Sequence, residues 1–188
     1  MTALGCGGGS ETPNRWVAVY GTLAQPAPGT SVVCPAGRAT TANRTFSALT
    51  ISTVSYTDVE LHASLRTLRQ LRRPRPNPWE VGWVLWDFGD SRHFYYVALK
   101  PNGWEIGKED PAYPGAQRFL ATGSSPRFPV GDSHLVTVVQ DGPRLDVDAD
   151  GKPLASVVDR QRPYLSGRVG LYSEDAEALY RDLGLGGH

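Results

Sequence analysis

Trp79-Glu-Val-Gly-Trp-Val-Leu-Trp-Asp-Phe88, Gly89-Asp-Ser-Arg92, His93-Phe-Tyr-Tyr-Val-Ala-Leu-Lys100, Pro101-Asn-Gly103 and Trp104-Glu-Ile-Gly-Lys-Glu-Asp110 decide the fold class. β-Branched and aromatic residues fill the runs and turn formers separate them, the signature of three consecutive antiparallel strands. Gly89-Asp90-Ser91 and Pro101-Asn102-Gly103 supply the backbone freedom that each reversal needs. Successive side chains of a strand point to opposite faces. Alternation therefore places Val81, Trp83, Leu85, Tyr95, Val97, Leu99, Trp104 and Ile106 on one face, read as the core. Glu80, Val84, Trp86, Phe94, Tyr96, Lys100 and Glu105 fall on the other. Charges mixed with large rings on an uncovered sheet surface describe a ligand platform, with Trp86, Phe94, Tyr96, Lys100 and Glu105 as its ligand-binding residues.

Outward from this stretch the same pattern recurs. Arg15 to Ala24, Ser31 to Cys34, Thr45 to Ser52, Thr57 to Arg66, Gln117 to Ala121, Ser133 to Gln140, Arg144 to Asp148, Pro153 to Val158 and Arg168 to Ser173 all read as strands. Asp141-Gly142 and Asp150-Gly151 are hairpin signals. Glu174 to Leu185 fits both a helical stripe and an alternation, and is read as a strand covering the sheet edge. The 21 glycines and 15 prolines are scattered between short runs, as many turns joining many strands require. The chain is thus expected to be all-β, with residues 1–14 an unstructured segment and 15–188 one domain.

Composition narrows the function classes. Nineteen basic and nineteen acidic residues balance, which gives no global pull toward nucleic acid. No run approaches the ~20 apolar residues of a membrane-spanning helix. Only Cys6 and Cys34 are present, too few for a disulfide-dense scaffold, although the two could pair. Leu4-Gly5-Cys6 followed by Gly-Gly-Gly-Ser has the form of a lipoprotein cleavage site and linker. It leads to the expectation of an extracellular or envelope-anchored protein, against the plainer reading of an incidental cysteine in a loose terminus.

Candidate chemistry is sparse. Asp146-x-Asp148-x-Asp150-Gly151 opens like a calcium loop, but position twelve is Val157 where a bidentate Glu belongs, so a hairpin is the better account. The four histidines show no zinc spacing. Gly-x-Ser-x-Gly is absent. Glu80 and Glu105 share a face in this register, and two carboxyls about 5–9 Å apart are what glycosidic hydrolysis asks for. They are the candidate catalytic pair, and a cross-strand ion pair with Lys100 is the structural alternative. The arginines at 66, 69, 72, 73 and 75 read either as a cationic loop favouring acidic sugars or as a solvated tip.

Trp79 to Phe88, His93 to Lys100 and Asn102 to Lys108, together with Asp150-Gly-Lys152 and Gly167-Arg-Val-Gly-Leu-Tyr-Ser-Glu-Asp-Ala176, resemble the concanavalin A-like lectin/glucanase superfamily. The laminin-G-like and 3-keto-disaccharide-hydrolase-like branches are nearest. The likeness runs from about Trp16 to Leu185. It implies a jelly-roll sandwich of two curved antiparallel sheets with ligands on the concave face; a poly- or oligosaccharide is the expected partner, and a monomer is the expected state. It also implies a structural Ca²⁺, for which Asp182 is the one position that maps. The Glu-x-Asp-x-x-Glu strand of the superfamily's retaining glucanases does not occur. A non-catalytic glycan-binding module is therefore expected first, and a glycoside-cleaving enzyme using Glu80 and Glu105 second.

Overall fold

The computed structural model describes residues 15–187; the segment 1–14, with Cys6, lies outside them. The strands are β1 (Trp16–Tyr20), β2 (Thr22–Ala27), β3 (Thr30–Cys34), β4 (Ser47–Thr57), β5 (Glu60–Gln70), β6 (Gly82–Asp90), β7 (His93–Lys100), β8 (Gly103–Glu109), β9 (Gln117–Gly123), β10 (His134–Asp141), β11 (Arg144–Ala149), β12 (Lys152–Val158), β13 (Ser166–Glu174) and β14 (Ala176–Gly186). They form two seven-stranded antiparallel sheets, ordered β1-β4-β13-β6-β7-β8-β9 and β12-β11-β10-β5-β14-β3-β2. This is the all-β jelly-roll sandwich that the sequence leads one to expect. No helix among the described residues is long and apolar enough to cross a membrane.

The hairpin signals act as their residues dictate. Asp150 and Gly151 both have positive φ, 52° and 71°, which suits the tight turn between β11 and β12. The β6–β7 turn lies slightly later than expected. β6 continues through Gly89 and Asp90, and Ser91-Arg92 make the reversal, with the Arg92 N–H donating to the Asp90 carboxylate at 2.7 Å. β14 is the expected strand but does not cover an edge; it lies inside the second sheet between β5 and β3. Cys34 is buried with Ala24, Val32 and Leu179.

The layer between the sheets holds Leu61, Leu65, Val84, Trp86, Tyr95, Val97, Leu99, Trp104, Ile106, Val136, Val138, Leu145, Val147 and Tyr180. The expected inward set is therefore right on β7 and β8. On β6 it is inverted: Trp86 is fully buried between the sheets, while Val81, Trp83 and Leu85 lie on the outer face. The pairing states the phase directly, because Trp83 lies opposite Ala98, Leu85 opposite Tyr96, and Trp86 opposite Tyr95. Gly82 explains it. A Cβ on Gly82 would come within 2.7 Å of Ala178 Cβ and Leu65 Cδ1, side chains of the second sheet. Gly82 therefore faces inward where no side chain fits, and Trp83 must point away from the core. A one-residue slip of phase moves a whole strand's side chains to the other face.

Two buried ion networks fasten the loops. Arg72 lies between Glu80 and Asp175, and its guanidinium also donates to the carbonyls of Thr41 at 2.7 Å and Arg44 at 3.0 Å. Lys108, fully buried, donates to Asp159 at 2.7 Å and to the carbonyls of Gln161 and Arg162 at 2.7 and 2.8 Å. Its ammonium also lies 4.9 Å from the Tyr164 ring. The arginine-rich stretch is thus neither a loop throughout nor uniformly solvated. Arg66 and Arg69 belong to β5, Arg69 pairs with Glu177, Arg72 is internal, and Arg73 and Arg75 are exposed.

Candidate functional site: the outer face of the first sheet

A second apolar cluster, outside the sandwich layer, covers the outer face of the first sheet: Leu49, Ile51, Val81, Trp83, Leu85, Phe88, Phe94, Tyr96 and Ala98, with Tyr172 packed against it. Its centre is a stack of rings. Trp83 lies on Tyr96 with centroids 4.6 Å apart and planes 27° apart, and meets Tyr172 at 5.1 Å. The stack is fixed from several sides. The Trp83 indole N–H donates to the Trp79 carbonyl at 3.0 Å, and the Gln117 amide donates to the Tyr96 hydroxyl at 2.5 Å. From the opposite sheet, the Tyr180 hydroxyl reaches the carbonyls of Trp83 at 2.8 Å and Tyr172 at 2.6 Å. Gly107 lets the Tyr96 ring settle over β8, since a Cβ there would lie 2.5 Å from the Tyr96 hydroxyl oxygen.

Beside this floor lies a groove of about 350 Å³, lined by Trp79, Trp83, Glu105, Glu109, Gln117, Phe119 and Glu174. That volume is near the lower end of the roughly 300–1,000 Å³ usual for ligand pockets. Trp79 and Phe119 stand on its rim, 44% and 55% exposed, so two aromatic faces remain open to an incoming molecule.

The carboxylates of the groove differ in state. Glu105 is engaged by the Lys100 ammonium. Glu109 and Glu174 have no such partner. Burial, reinforced by the other's charge, pushes Glu109 up to about 7. Glu174 is likewise pushed up to about 7, by burial and by the charges of Glu80 and Asp175, against the lowering effect of the Tyr172 hydroxyl, which donates to it at 3.0 Å, and of Arg72. Two carboxyls that ionise near neutrality in one hollow are a feature seen most often at functional sites.

The residues expected from sequence are distributed as follows. Phe94, Tyr96, Lys100 and Glu105 lie on this face, with Phe94 and Tyr96 buried in its cluster. Trp86 does not; it is inside the sandwich, stacked on Tyr95 at 5.6 Å. Glu80 is completely buried, held by Arg72 and by the backbone and side-chain N–H groups of Asn77, both at 2.9 Å. Glu80 and Glu105 are therefore not brought together as a pair: Glu80 is sealed in its ion network with Arg72, while Glu105 lines the groove paired with Lys100. Trp83, Trp79, Phe119, Gln117, Glu109 and Glu174 are the site residues that the sequence reading left out. Gly82 carried the signal for Trp83. Glu109 and Glu174 are brought together only because β13 and β8 flank the central pair β6 and β7.

For the structural Ca²⁺ implied by the resemblance, the structure offers the following surroundings at the expected position. Asp182 is exposed on a bulge of β14 with φ 51°, and no group of three or more His, Cys, Asp or Glu residues gathers to hold a metal among those described.

A larger hollow, about 480 Å³, opens in the seam between the sheets beside Trp16, Tyr56, Leu183 and Leu185. Size alone would favour it. The groove is the better candidate because open aromatic faces and two perturbed carboxyls converge there.

No protein-family model and no curated sequence matches this chain. Solved structures are similar to it. The carbohydrate-binding module CBM66 of Bacillus subtilis superposes with a TM-score of 0.70 at 16% identity, over 92% of this chain and 95% of that one. A protein of unknown function with a galectin-like fold, also from B. subtilis, gives 0.62 at 10% identity, over 90% and 88%. A Bacillus licheniformis β-glucanase gives 0.63 at 8% identity, over 95% and 94%. At these identities the likeness defines the fold alone, a jelly-roll β-sandwich. Within that fold, carbohydrate-binding and carbohydrate-cleaving proteins both stand among the neighbours.

Proposed function

We propose that the protein is a glycan-binding module whose groove on the outer face of the first sheet holds one end or one segment of an oligo- or polysaccharide. The observation that carries the reading is the open pair of rings, Trp79 and Phe119, beside the Trp83–Tyr96 stack, with Gln117 and Glu105 close by as hydrogen-bonding groups. Flat rings take the C–H faces of sugars, and the polar groups orient hydroxyls. The similarity to a carbohydrate-binding module supports it. An extracellular or envelope-anchored location and a chain acting alone belong to the same proposal.

The test is affinity electrophoresis and glycan-array binding with the wild type, Trp79→Ala and Phe119→Ala. Both side chains are largely exposed, so truncation is expected to leave the fold intact and weaken binding by about 1–3 kcal/mol. A wild type that binds no polysaccharide, or variants that bind as well as it does, would refute the reading.

One observation favours a second reading. Glu109 and Glu174 both ionise near 7, so at neutral pH one can carry a proton while the other does not, the division that glycoside hydrolysis uses. Release of reducing sugar by the wild type, abolished in Glu109→Gln and in Glu174→Gln, would establish it. Its absence leaves recognition as the function.

A further inference from the structure

The charge of the groove selects among glycans, and the inference drawn from it rests on the glycan-binding reading above. Three of its lining residues are carboxylic acids, Glu105, Glu109 and Glu174, and none is a lysine or arginine. The cations nearby are engaged elsewhere: Lys100 with Glu105, Arg72 with Glu80 and Asp175, Arg69 with Glu177. A uronic or sulfated sugar would bring a further negative charge against Glu109 and Glu174 with no free cation among the lining residues to receive it. The expectation that the arginine-rich stretch favours acidic sugars therefore finds no support at this groove.

We infer that the groove takes a glycan bearing protonated amines, of the glucosamine type, with an ammonium placed between Glu109 and Glu174 and against the open face of Trp79. Aromatic walls with carboxylates behind them are the recurring arrangement for organic cations, because the ring quadrupole and the carboxylate charge attract in the same direction. The raised ionisation of Glu109 and Glu174 accords with this, since burial raises both, Glu109 also feels the charge of Glu174, Glu174 feels those of Glu80 and Asp175, and neither has a protein cation bonded to it. An ammonium would relieve that repulsion, whereas an N-acetyl group or a plain hydroxyl at the same carbon would not.

The experiment is titration calorimetry at pH 7 and low salt with four probes: a β-1,4-linked glucosamine hexamer, its fully N-acetylated counterpart, cellohexaose, and spermidine as an amine without a sugar. The glucosamine hexamer is expected to bind about tenfold more tightly than either neutral oligomer. The preference should shrink as salt is raised to about 0.5 M. It should vanish in the Glu109→Gln/Glu174→Gln double variant, which keeps the shape of both side chains. Equal binding of all three oligomers, or a preference that survives in the double variant, overturns the inference while leaving glycan binding in place. Spermidine binding as tightly as the hexamer overturns the assignment to a sugar. Failure of every oligomer to bind overturns the glycan-binding reading itself.

Discussion

Neutralising Glu174 should make the protein more stable at alkaline pH and leave it unchanged at acid pH. The carboxyl ionises near 7 in the folded protein against an ordinary value of 4.5. Between those two values the folded state holds a proton that the unfolded chain has released, so stability falls as pH rises through the interval. Each pH step across it costs about 1.4 kcal/mol, about 3 kcal/mol in all before solvent screening. Glu174 is only half-buried, and screening reduces the expected cost to about 2 kcal/mol. Tyr172, Glu80, Asp175, Arg72 and Glu109 face it, and of these the Tyr172 hydroxyl and then Arg72 act against the rise. The perturbation is Glu174→Gln, which preserves the acceptor for the Tyr172 hydroxyl. The assay is urea denaturation at pH 5, 6, 7 and 8. Asp87, pushed up to about 6 by burial, gives both proteins a common slope at the acid end, so the difference between the curves reports Glu174 together with its repulsion of Glu109. The variant should lie within about 0.5 kcal/mol of the wild type at pH 5 and exceed it by about 2 kcal/mol at pH 8. Parallel curves, or a variant less stable at pH 8, would refute the claim that this carboxyl is held ionised at a cost.

The other predictions concern the buried networks. Arg72→Met should destabilise the fold by about 3–5 kcal/mol, because Glu80 and Asp175 would remain buried without their cation; a loss under about 1 kcal/mol by urea denaturation would contradict that account. Lys108→Met should cost a similar amount by stranding Asp159 and the carbonyls of Gln161 and Arg162. Near-wild-type stability there would mean that the Tyr164 loop holds its place unaided.

The sandwich was legible because its signals are local. Alternation on β5, where Leu61, Ala63 and Leu65 are buried, and the Asp-Gly turns each report a strand or a reversal from a few neighbouring residues. The inversion of β6 was harder to read. From Gly82 to Trp86 neither face carries a polar side chain, so the strand is visible while its phase is not, and only the crowding around Gly82 decides it. The site was legible in kind, as rings and carboxylates on one face of this stretch, and not in membership. Glu174 lies 65 positions beyond Glu109, and their shared groove follows from strand order, to which local pattern is blind. Arg72 and Lys108 were invisible as internal residues because a charged side chain in sequence looks solvated until its partners arrive from distant loops.

β13 and β14, the last two strands of the chain, lie inside their sheets and not at the margins: β13 joins β4 to β6, and β14 joins β5 to β3. A nascent chain emerging from the ribosome therefore cannot complete either layer from its first 165 residues, whose strands fall into separate groups without a seam. Assembly must wait for residues 166–186, and these distant closures make for slow folding dominated by non-local pairing. Until they arrive, the inner edges of β4, β6, β5 and β3 are unpaired and exposed to other chains.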